Sequence, residues 1–381
     1  MPAANHSVVS SNETCKQSTN LRNSIESHGY PVELHTVVTK DGYILTMSRI
    51  PSPRKTPILM VHQLFGCSVD YTVLGPEKSL AFLAHDSGYD VWMGNVRGNM
   101  FSRAHMTLDT KQSTYWKYSY HEIGIYDLPA MIDHILFVTG KQKLHYVGHS
   151  QGSVVFLVMA SMLPVYNLKV TSVHLSAPVA FVSNTAIPIR GFSEQVTTSV
   201  LLMEAFGIYD VGGRVDNLVI EYLRQAISSN IVPEDIVISI FFYFMGEDRE
   251  SFNISYMASI TESFPAGGSI RQFTHFIQAF HSGRFAQYDY GRAENLKRYG
   301  SSTPPSYALD RITAPVALYF GANDLFLTLK DANRLADSLP NVVLKHLHPN
   351  AKWNHIDFIY SIYAHRVYRR VLDLIHYFEH R

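Results

Sequence analysis

The chain has 381 residues, of which 46% are hydrophobic and 17% charged, and its 32 Lys and Arg residues balance its 32 Asp and Glu residues at a formal net charge of zero. This length and apolar content predict a large buried core, organised as one domain with a substantial insertion. The balanced charge argues against nucleic acid as a partner, and apolar stretches such as residues 236–245 reach about half of the roughly 20 residues that a transmembrane helix needs.

The N-terminal residues 1–27 are predicted to form a polar tail. Its start, MPAANHSVVSSNETC, lacks the basic, apolar and small-residue succession of a secretory signal, so the chain is either intracellular or a processed form. Two cysteines, Cys15 and Cys67, are too few for a disulfide framework or a four-ligand zinc site, which leaves either one bridge or two unpaired thiols. Three acceptor triplets for N-glycosylation are compatible with a secretory route: Asn5, Asn12 and Asn253.

Strand-like and helical segments alternate along most of the chain. A hairpin is predicted first, because Asp41 and Gly42 supply a turn between two apolar runs. Strands are predicted at 32–38, 43–50, 57–64, 89–95, 144–149, 170–177, 314–321 and 341–347. Helices are predicted at 79–88, 126–140, 153–163, 331–339 and 357–380. This alternation predicts an α/β fold with a mostly parallel central sheet flanked by helices on both faces.

One segment, residues 184–313, interrupts this alternation. It is rich in Phe, Tyr, Ile and Met and shows no strand–helix repeat, so we interpret it as an inserted, mainly helical cap. The two parts of the core are then residues 28–183 and 314–381. The segment DIVISIFFYFMG within the insertion is predicted to contribute both to the core of the cap and to a lipid-facing lid.

The stretch LHYVGHSQGSVVFLVMASML carries the strongest chemical signal. Its sequence Gly148-His149-Ser150-Gln151-Gly152 lies where a strand becomes a helix, which is the setting of a G-x-S-x-G nucleophile elbow. Gly148 and Gly152 provide the space for so sharp a turn. Ser150 is therefore predicted to be a nucleophile at the edge of the sheet, beside the N-terminus of a helix.

A serine hydroxyl becomes a useful nucleophile only with a base, and the base needs a carboxylate to orient it. In elbow-type hydrolases the acid and then the histidine follow the serine in the chain. Asp324, on the loop after a buried strand, is the best placed acid, and His355, on a loop before the last helix, is the best placed base. For the oxyanion, the predicted donors are the backbone amides of Leu64 and Gln151.

At these residues the chain resembles the acid lipase family, which includes gastric and lysosomal acid lipases and insect relatives of the lipase 3 type. The resemblance runs in order from about residue 28 to 380. It rests on GYPVELHTVVTKDGYILTMSRIP, VHQLFG, DVWMGNVRGN, YHEIGIYDLPAMIDHIL, VGHSQG, YDYGRAENLKRYG, PPSYALDRITAPVALYFGANDLF and NHIDF.

The resemblance implies an α/β-hydrolase fold with a cap and hydrolysis of neutral lipid esters, either triacylglycerols or sterol esters, at an oil–water or membrane surface. The family's nucleophile, acid and base motifs fall on Ser150, Asp324 and His355, and its oxyanion positions on Leu64 and Gln151. It further implies a secreted or lysosomal protein. No cofactor is expected, because the serine mechanism needs neither a metal nor an organic group.

The sequence departs from the family in two places. Members carry His-Gly before the oxyanion leucine, whereas this chain has Gln63 after His62. If the family's glycine has a backbone conformation unfavourable to a side chain, Gln63 is expected to displace the Leu64 amide, and the protein would then be a poor esterase. In that case Gln63→Gly is expected to raise turnover. Cysteines for the cap disulfide of the vertebrate members are missing. Two alternatives therefore stay open, namely a weak or inactive lipid-binding or storage protein and a general carboxylesterase.

Overall fold

A computed structural model describes residues 11–186, 198–200, 202–203, 206–211, 229 and 234–381, without the side chains of residues 11–18, 234, 235, 237, 240 and 241. The candidate glycosylation site Asn5 lies outside the described residues. So do the side chains of Asn12 and Cys15, and with them the suggested Cys15–Cys67 pairing. Cys67 itself is fully buried, with its sulfur 3.8 Å from the Ser263 carbonyl oxygen.

The strands form a mixed sheet whose order is β1-β2-β4-β3-β6-β7-β10-β11, with β5 paired to β2. The strand bounds are β1 Glu33–Val38, β2 Tyr43–Ile50, β3 Pro57–Val61, β4 Asp90–Gly94, β5 Ala104–His105, β6 Leu144–His149, β7 Val170–Ser176, β8 Asp210–Val211, β9 Gly268–Ser269, β10 Val316–Phe320 and β11 Val342–Leu347. Strands β8 and β9 pair with each other in a separate two-stranded sheet. Strands β1 and β2 are antiparallel, whereas β4, β3, β6, β7, β10 and β11 run parallel. The predicted α/β class and mostly parallel sheet are confirmed.

Helices cover both faces of this sheet. The α-helices are α1 Ser11–Glu26, α2 Leu80–Asp86, α3 Tyr120–Glu122, α4 Leu128–Thr139, α5 Gln151–Met162, α6 Glu234–Met245, α7 Met257–Ser263, α8 Ile270–Ser282, α9 Arg292–Tyr299, α10 Leu329–Ser338, α11 Asp357–Tyr360 and α12 Ala364–Glu379. A π-helical turn, Ile123–Asp127, joins α3 to α4. In the described parts of the chain, none of the helices has both the length and the apolar composition that a membrane crossing demands.

The central strands are buried along their whole length, as their continuous apolar runs predict. Every residue of β3, β4, β6 and β10 is buried. Helix α5 is buried through Ser161, because it lies beneath the sheet and between other elements. By contrast, β11 at the edge alternates between half-buried and exposed residues, which is the pattern of a strand with one solvated face.

The structure adds a helix to the predicted N-terminal tail, and it departs from the predicted C-terminal helix. Part of the predicted polar tail is helical, since α1 begins at Ser11 and buries Leu21 and Ile25 against the core. The predicted C-terminal helix is broken, because Ser361 is extended and forms a bridge with Phe252. The Ile362 amide then donates to the Ser251 carbonyl at 2.8 Å, so a segment of the insertion takes the hydrogen bond that would continue the helix.

A buried ion cluster joins three of the segments that carry the family resemblance. Arg97, after β4, donates through Nε to Asp127 Oδ1 at 2.7 Å, and its Nη1 lies 2.6 Å from Asp41 Oδ2. The Arg97 side chain is fully buried between these carboxylates. Separating Arg97 from these carboxylates would leave an uncompensated buried charge, which is costly. The ion pairs of Arg97 therefore hold the loop after β4 against the start of α4.

Candidate active site

The turn at Ser150 has the strained backbone of a nucleophile elbow. Strand β6 ends at His149, helix α5 begins at Gln151, and Ser150 between them has φ +52° and ψ −115°, a left-handed region that non-glycine residues rarely adopt. A Cβ on Gly152 would lie 2.0 Å from the Val61 carbonyl oxygen, and one on Gly148 would lie 2.6 Å from the Gly152 carbonyl carbon. Only glycine therefore permits the close approach of β6, α5 and β3.

The structure brings together the three side chains that were singled out from the sequence. His355 Nε2 lies 2.8 Å from Ser150 Oγ, and His355 Nδ1 lies 2.8 Å from Asp324 Oδ2. All three residues are buried, with exposed fractions of 6% for Ser150, 4% for Asp324 and 6% for His355. Because Asp324 only accepts hydrogen bonds when ionised, His355 donates from Nδ1 and leaves Nε2 free to accept the serine proton.

Asp324 is held by the backbone of its own loop after β10. Its Oδ1 accepts hydrogen bonds from the amides of Phe326 and Leu327, both at 2.9 Å. These two bonds leave Oδ2 directed at His355. The carboxylate is therefore oriented before any substrate arrives, because backbone amides of the protein hold its other oxygen.

The loop of His355 is fixed by a neighbouring segment at the end of α6. The Asn354 side-chain amide donates to the Gly246 carbonyl at 2.7 Å, and the Asn323 side-chain amide donates to the Glu247 carbonyl at 3.0 Å. A Cβ on Gly246 would lie 2.1 Å from the Asn323 carbonyl oxygen. Thus one stretch of the insertion contacts the loops that carry both the acid and the histidine. Sequence reasoning missed these contacts, which involve no recognisable motif.

Two buried carboxyl groups beside the site have raised pKa values. Burial raises the pKa of Asp357 to about 8, although the Asn354 amide, 2.7 Å from its Oδ2, acts in the opposite direction. Burial likewise raises the pKa of Asp70 to about 7. Both groups therefore retain protons at pH values where an exposed carboxyl is ionised. Neither carboxyl was singled out from the sequence.

The loop that contains Leu64 does not have the strain considered for Gln63. In the described residues, the non-glycine positions with positive φ are Arg54, Phe65, Ser150 and Ala177. Gln63 is absent from this set, so the condition under which it would displace the Leu64 amide is not met. The left-handed residue of this loop is Phe65, and its carbonyl accepts a 2.6 Å hydrogen bond from the Ala266 amide of the insertion.

His62 anchors the same loop in its neutral form. The Val96 amide donates to His62 Nε2 at 3.2 Å, which leaves Nδ1 as the donor to the Gln63 carbonyl at 2.7 Å. Burial lowers the pKa of His62 to about 4, in agreement with the acceptor role of Nε2. A neutral His62 therefore holds the Gln63 carbonyl over the physiological range of pH.

An apolar cavity of about 340 Å³ opens beside Ser150 and His355. Its walls come from the core, the Leu64 loop and the insertion. The lining residues are Gln63, Leu64, Phe65, Ser150, Val179, Val182, Thr185, Phe244, Met245, Phe264, Phe273, Phe276, Ile277, Phe280, Phe326, His355 and Ile356. Such a lining accepts a hydrocarbon chain and places its polar end at the serine.

The described residues contain no group of three or more His, Cys, Asp or Glu side chains arranged to hold a metal ion.

The remaining glycosylation candidate, Asn253, is exposed, and its side-chain oxygen accepts a hydrogen bond from the Ser255 amide at 3.0 Å. The boundaries of the predicted cap, residues 184–313, stay a prediction.

Comparison with known proteins places this chain in a family. Residues 56–360 match the family described as the alpha/beta hydrolase fold, and residues 21–75 match the partial alpha/beta-hydrolase lipase region. The chain is 41% identical to Lipase 3 of Drosophila melanogaster, over 93% of this chain and 92% of that protein.

Two vertebrate proteins match over a similar extent. Gastric triacylglycerol lipase of Rattus norvegicus is 33% identical over 93% of this chain and 91% of its own length. Lysosomal acid lipase/cholesteryl ester hydrolase of Macaca fascicularis is 31% identical over 93% of this chain and 90% of its own length. The match is thus to whole lipases and not to a shared fragment.

Proposed function

The chain belongs to the acid lipase family of α/β-hydrolases and is a hydrolase of carboxylic esters, and we propose that it cleaves neutral lipid esters with Ser150, His355 and Asp324 as the catalytic triad. The observation that carries the proposal is the hydrogen-bonded chain from Ser150 Oγ through His355 to Asp324, with both distances at 2.8 Å.

The mechanism has two stages. His355 Nε2 accepts the Ser150 proton while Oγ attacks the ester carbonyl carbon, and the resulting imidazolium then protonates the departing alcohol. Water, deprotonated by His355, attacks the acyl-enzyme and releases the fatty acid. Asp324 stabilises the imidazolium in both stages. The amides of Leu64 and Gln151 stabilise the oxyanion of each tetrahedral intermediate, and removing one such donor typically costs about 2.7–4 kcal/mol.

The apolar cavity supports a lipid as substrate. Its lining is almost entirely aliphatic and aromatic and ends at Ser150 and His355, so a fatty acyl chain loses contact with water while its ester lies at the nucleophile. The names of the vertebrate relatives support triacylglycerols and sterol esters as the two substrate classes. An oil–water or membrane surface is then the place of action.

The ordinary backbone conformation of Gln63 argues against the inert carrier that the sequence left open. Gln63 has no positive φ, so its side chain gives no backbone reason for a disabled oxyanion site. We further assign the protein to the secretory or lysosomal route, with Asn253 as an occupied glycosylation site. Protein from eukaryotic cells should migrate faster after peptide N-glycosidase treatment, and Asn253→Gln should reduce that shift.

The activity is tested by fatty acid release from emulsified triolein and cholesteryl oleate, with p-nitrophenyl butyrate as the soluble ester. Wild type should release fatty acid from at least one emulsion, and Ser150→Ala should lose nearly all turnover. Ser161→Ala is the matched control, because Ser161 is buried on the helix that follows Ser150 and donates its hydrogen bond to the Val158 carbonyl. Turnover of the soluble ester alone would indicate a general carboxylesterase, and lipid binding without turnover would indicate a carrier.

A further inference from the structure

The side chain of Gln63 begins a buried chain of hydrogen bonds. Gln63 Nε2 donates to Tyr360 Oη at 3.0 Å, and Tyr360 Oη donates to Asp70 Oδ1 at 3.0 Å. The exposed fractions are 5% for Gln63, 1% for Tyr360 and 2% for Asp70. Each donor thus has an acceptor in a setting where an unpaired polar group is costly. We call these three residues the Gln63 relay.

The far end of the relay returns to the loop from which it starts. Asp70 Oδ2 accepts from the Cys67 amide at 3.3 Å, so the relay closes the stretch from Gln63 to Asp70 into a ring through Tyr360. Gly66 provides the space, since a Cβ there would lie 2.3 Å from Asp70 Oδ2 and 2.9 Å from Gln63 Cγ. Tyr360 ends α11, the helix that follows His355. The relay therefore ties the Leu64 loop to the helix that directly follows the histidine.

The backbone of Gln63 is held as firmly as its side chain. Its carbonyl oxygen accepts from His62 Nδ1 at 2.7 Å and from the Gly66 amide at 3.0 Å. This carbonyl shares one planar peptide group with the Leu64 N–H. Fixing the carbonyl therefore fixes the direction of the Leu64 N–H, which points the opposite way across the peptide plane. Leu64 and Ser150 both line the apolar cavity.

From these contacts we propose that Gln63 is a positioning residue for the Leu64 amide and acts through Tyr360 and Asp70. The inference rests on the proposed function, because the direction of the Leu64 N–H matters to catalysis only when this group stabilises an oxyanion. The side chain that replaces the family's glycine is thus part of the catalytic scaffold of this chain. Gln63→Gly should lower turnover.

The test compares steady-state hydrolysis of p-nitrophenyl butyrate by Gln63→Met, Tyr360→Phe and the double variant. Met has nearly the volume of Gln and removes the donor, so packing is preserved. Tyr368→Phe is the matched control, because this buried tyrosine likewise donates one hydrogen bond, to the Phe358 carbonyl, but does not reach the Leu64 loop. Thermal unfolding of every variant is measured alongside.

Each relay variant should lower kcat about 10- to 100-fold, with KM changed less than threefold. The double variant should be no worse than the poorer single variant, because both break one chain. Affinity for a trifluoromethyl ketone, which imitates the tetrahedral intermediate, should fall by the same factor as kcat. Tyr368→Phe should lower only the melting temperature. If Gln63→Met does not fold, Gln63→Gly replaces it with the same expected loss.

Three results would overturn the inference, and each has a different meaning. Relay variants that lose thermal stability but keep kcat within twofold of wild type, as expected for Tyr368→Phe, would make the relay merely structural. A higher kcat for Gln63→Gly would instead show that the glutamine hinders the Leu64 amide. A wild-type protein without turnover that depends on Ser150 would instead refute the proposed function itself, and the inference with it.

Discussion

Asp324→Asn tests how the loop after β10 determines the protonation of His355. In the wild type, the amides of Phe326 and Leu327 bond Oδ1 and leave Oδ2 to accept from His355 Nδ1. An asparagine must keep its oxygen on those two amides, because the reverse orientation opposes donors to donors and costs about 1–3 kcal/mol for each unpaired group. The asparagine NH₂ group then faces His355 Nδ1.

This orientation forces the wrong tautomer on the histidine. His355 Nδ1 must accept a hydrogen bond, so the proton moves to Nε2, which can no longer take the proton of Ser150. The expected loss in kcat is about 10⁴-fold, equivalent to about 5 kcal/mol of activation free energy. The loss should appear with p-nitrophenyl butyrate as much as with an emulsion, because it concerns the chemical step.

The matched control is Asp331→Asn. Asp331 is also buried and bonds the backbone and side-chain amides of Asn184 rather than the histidine. This variant should melt at a lower temperature and keep kcat within about twofold, because the carboxylate supports a helix start and not the reaction. A folded Asp324→Asn protein that retains kcat within tenfold of wild type would refute the tautomer reasoning.

Two further predictions concern stability. Gly152→Ala places a Cβ 2.0 Å from the Val61 carbonyl oxygen, so we expect it to lower the free energy of unfolding by at least about 3 kcal/mol in thermal or urea unfolding. A melting temperature like that of Ser161→Ala would contradict this expectation. Burial raises the pKa of Asp357 to about 8, so its stabilising contribution is complete below about pH 4 and is lost as the pH rises to 8. The Asp357→Asn side chain cannot ionise, so the stability of this variant relative to wild type should increase between pH 5 and 8, by up to about 1.4 kcal/mol per pH unit. A difference in unfolding free energy that stays constant over this range would exclude the Asp357 carboxyl as the source of the pH dependence.

Local pattern was sufficient for the sheet and the elbow. The apolar runs of β3, β6 and β10 are fully buried, as their composition predicts, and the glycines around Ser150 indicate a close turn by themselves, because only residues without a side chain fit there. Chain order then restricted the acid and the base to a few positions. Asp324 and His355 were selected by their places on loops, and the fold brings them together with Ser150.

Contacts between distant segments could not be found in this way. The break at Ser361 depends on the hydrogen bond that the Ile362 amide donates to the Ser251 carbonyl and on the bridge between Ser361 and Phe252. Ser251 and Phe252 belong to the insertion. The helical start of the chain, at Ser11, is likewise stabilised by burying Leu21 and Ile25 in the core. In both cases the local sequence permits more than one conformation, and packing against residues far away in the chain selects one.

Gln63 shows most clearly which properties follow from the sequence and which depend on the tertiary structure. The sequence determined that a glutamine stands directly before the predicted oxyanion donor, in a chain whose family, fold class and ester chemistry can be read from its motifs. Whether that glutamine obstructs or supports the donor depended on its φ angle and on Tyr360, 297 residues further along the chain. Local patterns encode strands, turns and nucleophiles because these depend on neighbouring residues, whereas the direction of one N–H depends on partners that only the folded chain brings within hydrogen-bond distance.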